Sequence, residues 1–131
     1  MKISREIYQG IAEHSISELP NEACGYIAGK GDTAEKQYRL TNADASCEHF
    51  SFIPEEQFAT LKDARKHGLA LIAVYHSHPS TPARMSDEDI RLANDTEMRY
   101  LIYSVKEKSL KCFRIDDNKN VTEEELIILE M

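Results

Sequence analysis

Two imidazoles, a hydroxyl and a carboxylate follow one another closely in His76-Ser77-His78-Pro79, Ser86 and Asp89. Two neutral nitrogens and one carboxylate oxygen make a three-ligand set for a catalytic zinc, with a fourth position left for water. Such a metal lowers the pKa of its water from about 15.7 to about 7 and polarises a carbonyl. Facing alternates along an extended segment, so His76 and His78 point to one side while Ser77 turns away. Asp89, one turn into a following helix, supplies the third ligand. Ser86 at the helix start can donate to a tetrahedral oxyanion, a contact worth roughly 3–4 kcal/mol. It can also cap the helix through its oxygen, and the two roles are compatible.

A hydrolase of this kind needs a group that carries the proton from water to the leaving amine. Glu22 is a candidate, because it stands at the mouth of an apolar segment where partial desolvation raises a carboxyl pKa. Residue types alone do not single it out from the other carboxylates. Asp87 and Glu88 read as solvated acids of the first helical turn.

The elements that position these groups follow from periodicity. The apolar run 69–75 before the histidines reads as a buried strand, so the ligands sit at the end of a rigid element. Upstream, Ile3, Ile7, Tyr8 and Ile11 recur at helical spacing and predict a helix over 3–17. The segment 23–29 reads as a strand, turning through Lys30-Gly31-Asp32 into a second at 35–40. His49-Phe50-Ser51-Phe52-Ile53 alternates and predicts a third. Pro54 at a helix N1 position, followed by Glu55 and Glu56, opens a helix that stops at Gly68. Ser86 opens another, expected to continue to about residue 97. Strands are expected at 99–105 and 110–115, and 121–129 is a last strand or a helix. The reading is an α/β fold, one domain over 1–131, with a mixed or largely antiparallel sheet flanked by helices.

The bulk properties narrow the function. A chain of 131 residues buries roughly two-thirds of its unfolded surface and needs no staples. A formal net charge of -7 argues against nucleic acid and gives no support for an anionic membrane, whereas a basic patch on a partner protein stays compatible. Cys24, Cys47 and Cys112 are an odd number without CxxC spacing, which fits a reducing compartment and no disulfide framework. The first residues lack the apolar core of a signal peptide, and no run approaches the roughly 18 apolar residues of a membrane span. A soluble, cytoplasmic protein is expected, its oligomeric state open.

The spacing His76-x-His78-x7-Ser86-x2-Asp89 resembles the motif of the JAMM (MPN+) metalloproteases. The segment Pro20-Asn-Glu22-Ala-Cys24-Gly25-Tyr-Ile-Ala-Gly29 is similar to that family's Glu, Cys-Gly and later Gly. The resemblance implies a curved β-sheet flanked by helices, related in architecture to zinc cytidine deaminases. It implies Zn²⁺ at His76, His78 and Asp89, Glu22 as general acid/base and Ser86 as oxyanion stabiliser. Many members cut an amide or isopeptide bond after the C-terminal glycine of ubiquitin or a ubiquitin-like protein. The short chain looks closest to the compact prokaryotic branch, where similar proteins process ThiS/MoaD-type sulfur carriers, releasing cysteine or exposing Gly-Gly. Met85 departs from the proline common before the serine, which bears on loop rigidity more than on ligation.

Other readings stand beside this one. A non-catalytic protein-binding module of the same fold would bind the carrier without turnover. A zinc deaminase wants HxE with PCxxC, and the sequence has neither. Cys24 as a nucleophile competes with its reading as a small buried side chain. His14 and His67 read as structural or solvated, as does His49, with a lesser chance of lining the site. Arg84 either meets a backbone carbonyl or carboxylate of the substrate or belongs to a plain surface loop. Phe50, Phe52 and Phe58 read as core.

Overall fold

The computed structural model describes residues 1–130; Met131, the last residue of the expected domain, lies outside the described residues. In chain order the elements are β1 (Lys2–Ser4), α1 (Arg5–Ser17), β2 (Cys24–Lys30), β3 (Thr33–Leu40), α2 (Pro54–Lys66), β4 (Ala70–His78), α3 (Asp87–Leu92), β5 (Arg99–Ser104), β6 (Ser109–Ile115), β7 (Val121–Glu124) and β8 (Ile127–Leu129). All eight strands form one sheet in the order β7-β6-β5-β4-β2-β3-β1-β8. The pairs β4–β5, β1–β3 and β1–β8 are parallel and the other four antiparallel, so the sheet is mixed, as expected.

Connectivity forces the sheet to curl. β7 and β8 lie at opposite ends of the order, and flat edges seven strand spacings apart would stand roughly 34 Å from each other. Only Glu125 and Leu126 join them, and three peptide steps reach at most about 11 Å. The edges therefore curve toward one another, and Leu126 and Ile128 pack on the core inside the curve.

Side-chain alternation separates the two faces. One carries Ile27, Ala73, Tyr75, Leu101, Tyr103 and Cys112 and packs against Ile7, Tyr8, Ile11 and Ala12 of α1. The Tyr75 hydroxyl, deep in this layer, bonds His14 Nδ1 at 2.7 Å and accepts from Gln37 Nε2 at 3.1 Å. The opposite face bears Cys24, Tyr26, Val74 and His76 and lies under α2, tied by Gln57 Nε2 donating to the Tyr26 hydroxyl at 2.9 Å. A smaller cluster of Ala83, Ile102 and Phe113, with Met85 packed on it, seats the loop after β4.

Gly25 is required by its neighbours rather than by its dihedrals. A Cβ there would collide with the Tyr38 carbonyl oxygen and the Tyr75 ring. Gly25→Ala should lower stability by about 1–3 kcal/mol, the usual cost of overpacking, read as a lower urea midpoint at unchanged slope. A variant as stable as wild type would show that the β3 backbone at Tyr38 and the Tyr75 ring both shift freely.

Four expectations need correction. The first helix begins at Arg5, because Ser4 caps it by accepting from the Ile7 N–H at 3.1 Å. Ile3 belongs instead to β1, fully buried in the sheet. Residues 49–53 are not a strand. They form a loop whose backbone bonds to Asn42 and not to a neighbouring strand: Asn42 Nδ2 donates to His49 O at 3.1 Å, and Ser51 N–H donates to Asn42 Oδ1 at 3.4 Å. α3 ends at Leu92, where Ala93 turns extended with ψ 94, and Lys119 Nζ donates to the carbonyls of Ile90 and Ala93 at the helix end. Finally, 121–129 is neither one strand nor a helix but β7 and β8, broken where the sheet closes.

Candidate metal site

The end of β4 delivers both histidines. Cys24 pairs with His76 and Gly25 with Tyr75, and continuing this antiparallel register brings Glu22 beside His78. The ladder is stitched beyond its last paired residue: Ser77 N–H donates to Ala23 O at 3.0 Å, and Ala23 N–H donates to Ser77 Oγ at 2.8 Å. Ser77 thus turns away from the site, as alternation requires, while Glu22, His76 and His78 share the other face. All three are about 95% buried.

Asp89 completes the cluster from α3. Its Oδ1 lies 3.2 Å from His76 Nε2 and its Oδ2 3.0 Å from His78 Nε2, and the two Nε2 atoms are 3.2 Å apart. A capping box sets the carboxylate: Asp89 N–H donates to Ser86 Oγ at 3.1 Å, and Ser86 N–H donates to Asp89 Oδ2 at 3.0 Å. His78 is oriented by its other nitrogen. The Pro82 carbonyl, 2.9 Å from Nδ1, can only accept, so Nδ1 carries the proton and a neutral ring leaves Nε2 its lone pair.

This donor set fits a metal. Tetrahedral zinc bound at about 2.05 Å from each donor would space the donors roughly 3.3 Å apart, and the observed separations are 3.0 to 3.2 Å. Nitrogen lone pairs facing one another beside a carboxylate call for a cation among them, a proton or a metal. The electrostatics agree. Burial disfavours the Asp89 carboxylate, but hydrogen bonds from His76 and His78 outweigh it and hold its pKa far below the usual range. Burial likewise opposes charge on His78, and the bonds to Asp89 and the Pro82 carbonyl still raise its pKa. Among the described residues, these three form the group able to hold a metal.

Glu22 differs from every other carboxylate. Its Oε1 is the one buried side-chain polar atom without a partner among the described residues. Burial pushes its pKa up to about 8, with His78 pulling down and Asp89 pushing up. Its backbone is clamped by the 41–53 loop: Glu22 N–H donates to Ser46 O at 2.8 Å, and Asn42 Nδ2 donates to Glu22 O at 3.1 Å. Asn42 also donates to His49 O at 3.1 Å. Nothing in its residue type marks Asn42 as the organiser of this loop.

The same loop supplies aromatic cover. Phe50 stacks on His76 with centroids 4.8 Å apart, and Phe52 stacks on Tyr26 at the same distance. These two rings were expected in the core; they instead wall a cleft of about 350 Å³ that reaches His76 and Asp89 and includes His49. Phe58, also expected in the core, is 63% exposed on α2. A second cleft of about 410 Å³ opens on the other side, lined by His78, Thr81, Arg84 and Ser86. Cys24 is fully buried, and burial pushes its thiol up to about 12, which suits packing and not a thiolate nucleophile.

Ser86 Oγ accepts from Asp89 N–H, and among the described residues nothing takes its own O–H. Glycine at an N-cap loses only a few tenths of a kcal/mol, so Ser86→Gly separates the cap from the hydroxyl. The variant should keep its melting temperature within a few degrees and lose roughly 10²–10³-fold in kcat, the range for an oxyanion donor. Unchanged kcat would confine Ser86 to capping.

Comparisons with known proteins accord with this geometry. Residues 4–116 match the family model of prokaryotic homologues of the JAB domain. The CysO-cysteine peptidase of Mycobacterium tuberculosis is 29% identical, covering 98% of this chain and 90% of its own. The probable TtuB-protein conjugate cleaving protease of Thermus thermophilus is 28% identical over 91% of this chain and 78% of its own. Among solved structures, protein DSY2949 of Desulfitobacterium hafniense superposes with a TM-score of 0.91 at 42% identity, covering 99% of this chain and 93% of its own. A structure described as JAMM, a metalloprotease-like zinc site in the proteasome and signalosome, superposes with a TM-score of 0.65 at 25% identity, covering 99% and 98%. With its two histidines and aspartate gathered at the end of β4, the chain belongs to the prokaryotic JAB family.

Proposed function

We propose that this protein, one domain over 1–131, hydrolyses an amide or isopeptide bond at the C-terminal glycine of a small ubiquitin-like sulfur carrier. His76, His78 and Asp89 would hold Zn²⁺, which when bound supplies an activated water at neutral pH and a polarised carbonyl. The observation that carries the reading is the buried, partnerless Glu22 carboxyl beside a zinc-spaced donor set. The names of the two relatives, one acting on CysO-cysteine and one on TtuB conjugates, support the substrate class.

Glu22 Oε1 takes the proton of the attacking water and returns it to the leaving nitrogen, so the carbonyl carbon gains oxygen as the amine departs. A pKa of about 8 falls toward neutrality beside a divalent cation, which is where a group that both accepts and donates works best. Ser86 donates its free O–H to the oxyanion. Phe50 covers His76, with the Phe52 ring set edge-on against Phe50, and this apolar cover strengthens each of these interactions. No helix among the described residues is long and apolar enough to cross a membrane, and three free cysteines fit the cytoplasm.

The test is intact-mass spectrometry of a carrier linked through its terminal Gly-Gly to cysteine, a peptide amine or a lysine side chain. Incubation with zinc-loaded protein should release the amine and leave a free Gly-Gly carboxylate. Binding without cleavage of any conjugate would contradict the reading and favour a non-catalytic binding module.

A further inference from the structure

The two clefts meet at the His76–His78–Asp89 cluster. His76 and Asp89 line the first, His78 and Ser86 the second, and Met85 both. A chain laid across the cluster therefore places one side of the scissile bond in each. Their walls differ in kind. The first is largely aromatic and apolar, with Glu88, Asp89 and Asp95 as its acids; a free carboxylate is repelled there, while an extended tail is accommodated. The second holds one cation, Arg84.

Arg84 is unlike most other arginines of the chain. Arg5, Arg39, Arg99 and Arg114 each face a carboxylate. Arg84 has no ion pair among the described residues, although Asp87 lines the same cleft. Its position is nevertheless set. Ala83 before it is buried on Ile102 and Phe113, and Met85 after it packs on the same cluster. Arg84 N–H donates to Pro82 O at 2.9 Å, the carbonyl that also orients His78, and Ser104 Oγ donates to Thr81 O at 2.8 Å. An exposed guanidinium on a backbone anchored at both neighbouring residues, in a chain of net charge -7, is free to receive an anion.

We propose that Arg84 is a specificity-determining residue that binds the α-carboxylate of a leaving amino acid in the second cleft. The preferred substrate is then a carrier whose terminal glycine is joined to one free amino acid, in preference to a lysine side chain within a protein. This rests on the hydrolase reading above. The fork of the guanidinium matches a carboxylate in two parallel hydrogen bonds, which lysine cannot reproduce.

Three conjugates of one carrier test it: Gly-Gly-cysteine with a free carboxylate, the same with a C-terminal carboxamide, and Gly-Gly on the side chain of an N-acetyl-lysine amide. Wild-type KM should be about ten- to hundredfold lower for the free acid than for the carboxamide, as a charged hydrogen-bond partner predicts. In Arg84→Gln that ratio should fall to about one, and Arg84→Lys should lie between. Equal wild-type KM values, or a ratio that survives in Arg84→Gln, would overturn the inference. So would relief in Arg84→Gln of product inhibition by the carrier's own Gly-Gly carboxylate, equal for all three conjugates, since that assigns Arg84 to the carrier. Cleavage without preference defeats the Arg84 inference alone; no cleavage of any conjugate defeats the hydrolase reading with it.

Discussion

Glu22→Gln should lower turnover by about 10²–10⁴-fold, the span attributed to general acid–base catalysis, while bound zinc stays at one per chain. The amide keeps the shape of the side chain and removes only its capacity to take up and release a proton. It lies outside the donor set of His76, His78 and Asp89, so metal affinity has no reason to fall. The same variant carries a stability signature in metal-free protein. The folded-state pKa of Glu22, about 8, lies above its ordinary value of 4.5. Its contribution is therefore fully present below about pH 4.5 and lost as pH rises through about 8. His78, also raised, adds a loss of the same sign, but in both proteins. Urea midpoints at pH 5 and pH 8.5 should thus fall less in Glu22→Gln than in wild type. Wild-type turnover in the variant would remove Glu22 from the mechanism.

Asp89→Asn should abolish cleavage and weaken zinc binding by more than the roughly 10- to 100-fold that loss of an outer partner costs. The reason is visible in the charge balance. Asp89 is the one anionic ligand, held ionised by two imidazoles and by Ser86 N–H despite its burial. An amide keeps Ser86 as the cap of α3 and so leaves the helix in place, but it offers the metal a neutral oxygen. Because the Asp89 pKa is depressed, its stabilising contribution persists above the ordinary carboxylate value and is lost as pH falls below it. Zinc retained at one equivalent in Asp89→Asn, measured after dialysis, would show that the metal sits elsewhere.

The sequence was most legible where chemistry and periodicity coincide. A strand ending in His-x-His must show both rings on one face, and Ser86 three residues before Asp89 is a capping box as well as part of a motif, so the cluster followed from spacing. Glu22 is fifty-four residues from His76; only the β2–β4 register joins them, and a single sequence does not write register. The misreadings share a cause. The alternation of 49–53 reported facing correctly, since Phe50 and Phe52 do point the same way, but what they cover is His76 and Tyr26 on the face of the existing sheet and not a second sheet. The 86–97 helix was overextended because Ala93-Asn94-Asp95 carries no proline or glycine to stop it; Lys119, from a distant turn, closes the helix instead. The closing of the sheet by Glu125 and Leu126 was hidden for the same reason, being a consequence of where β1 lies.

One zinc on His76, His78 and Asp89 would make this chain a hydrolase. Metal-stripped protein should be titrated with Zn²⁺ while cleavage of a Gly-Gly carrier conjugate is followed by intact mass. Activity should rise from background in proportion to added zinc and level off at one equivalent per chain. Full activity in the stripped protein, or a saturated site without cleavage, would contradict the account.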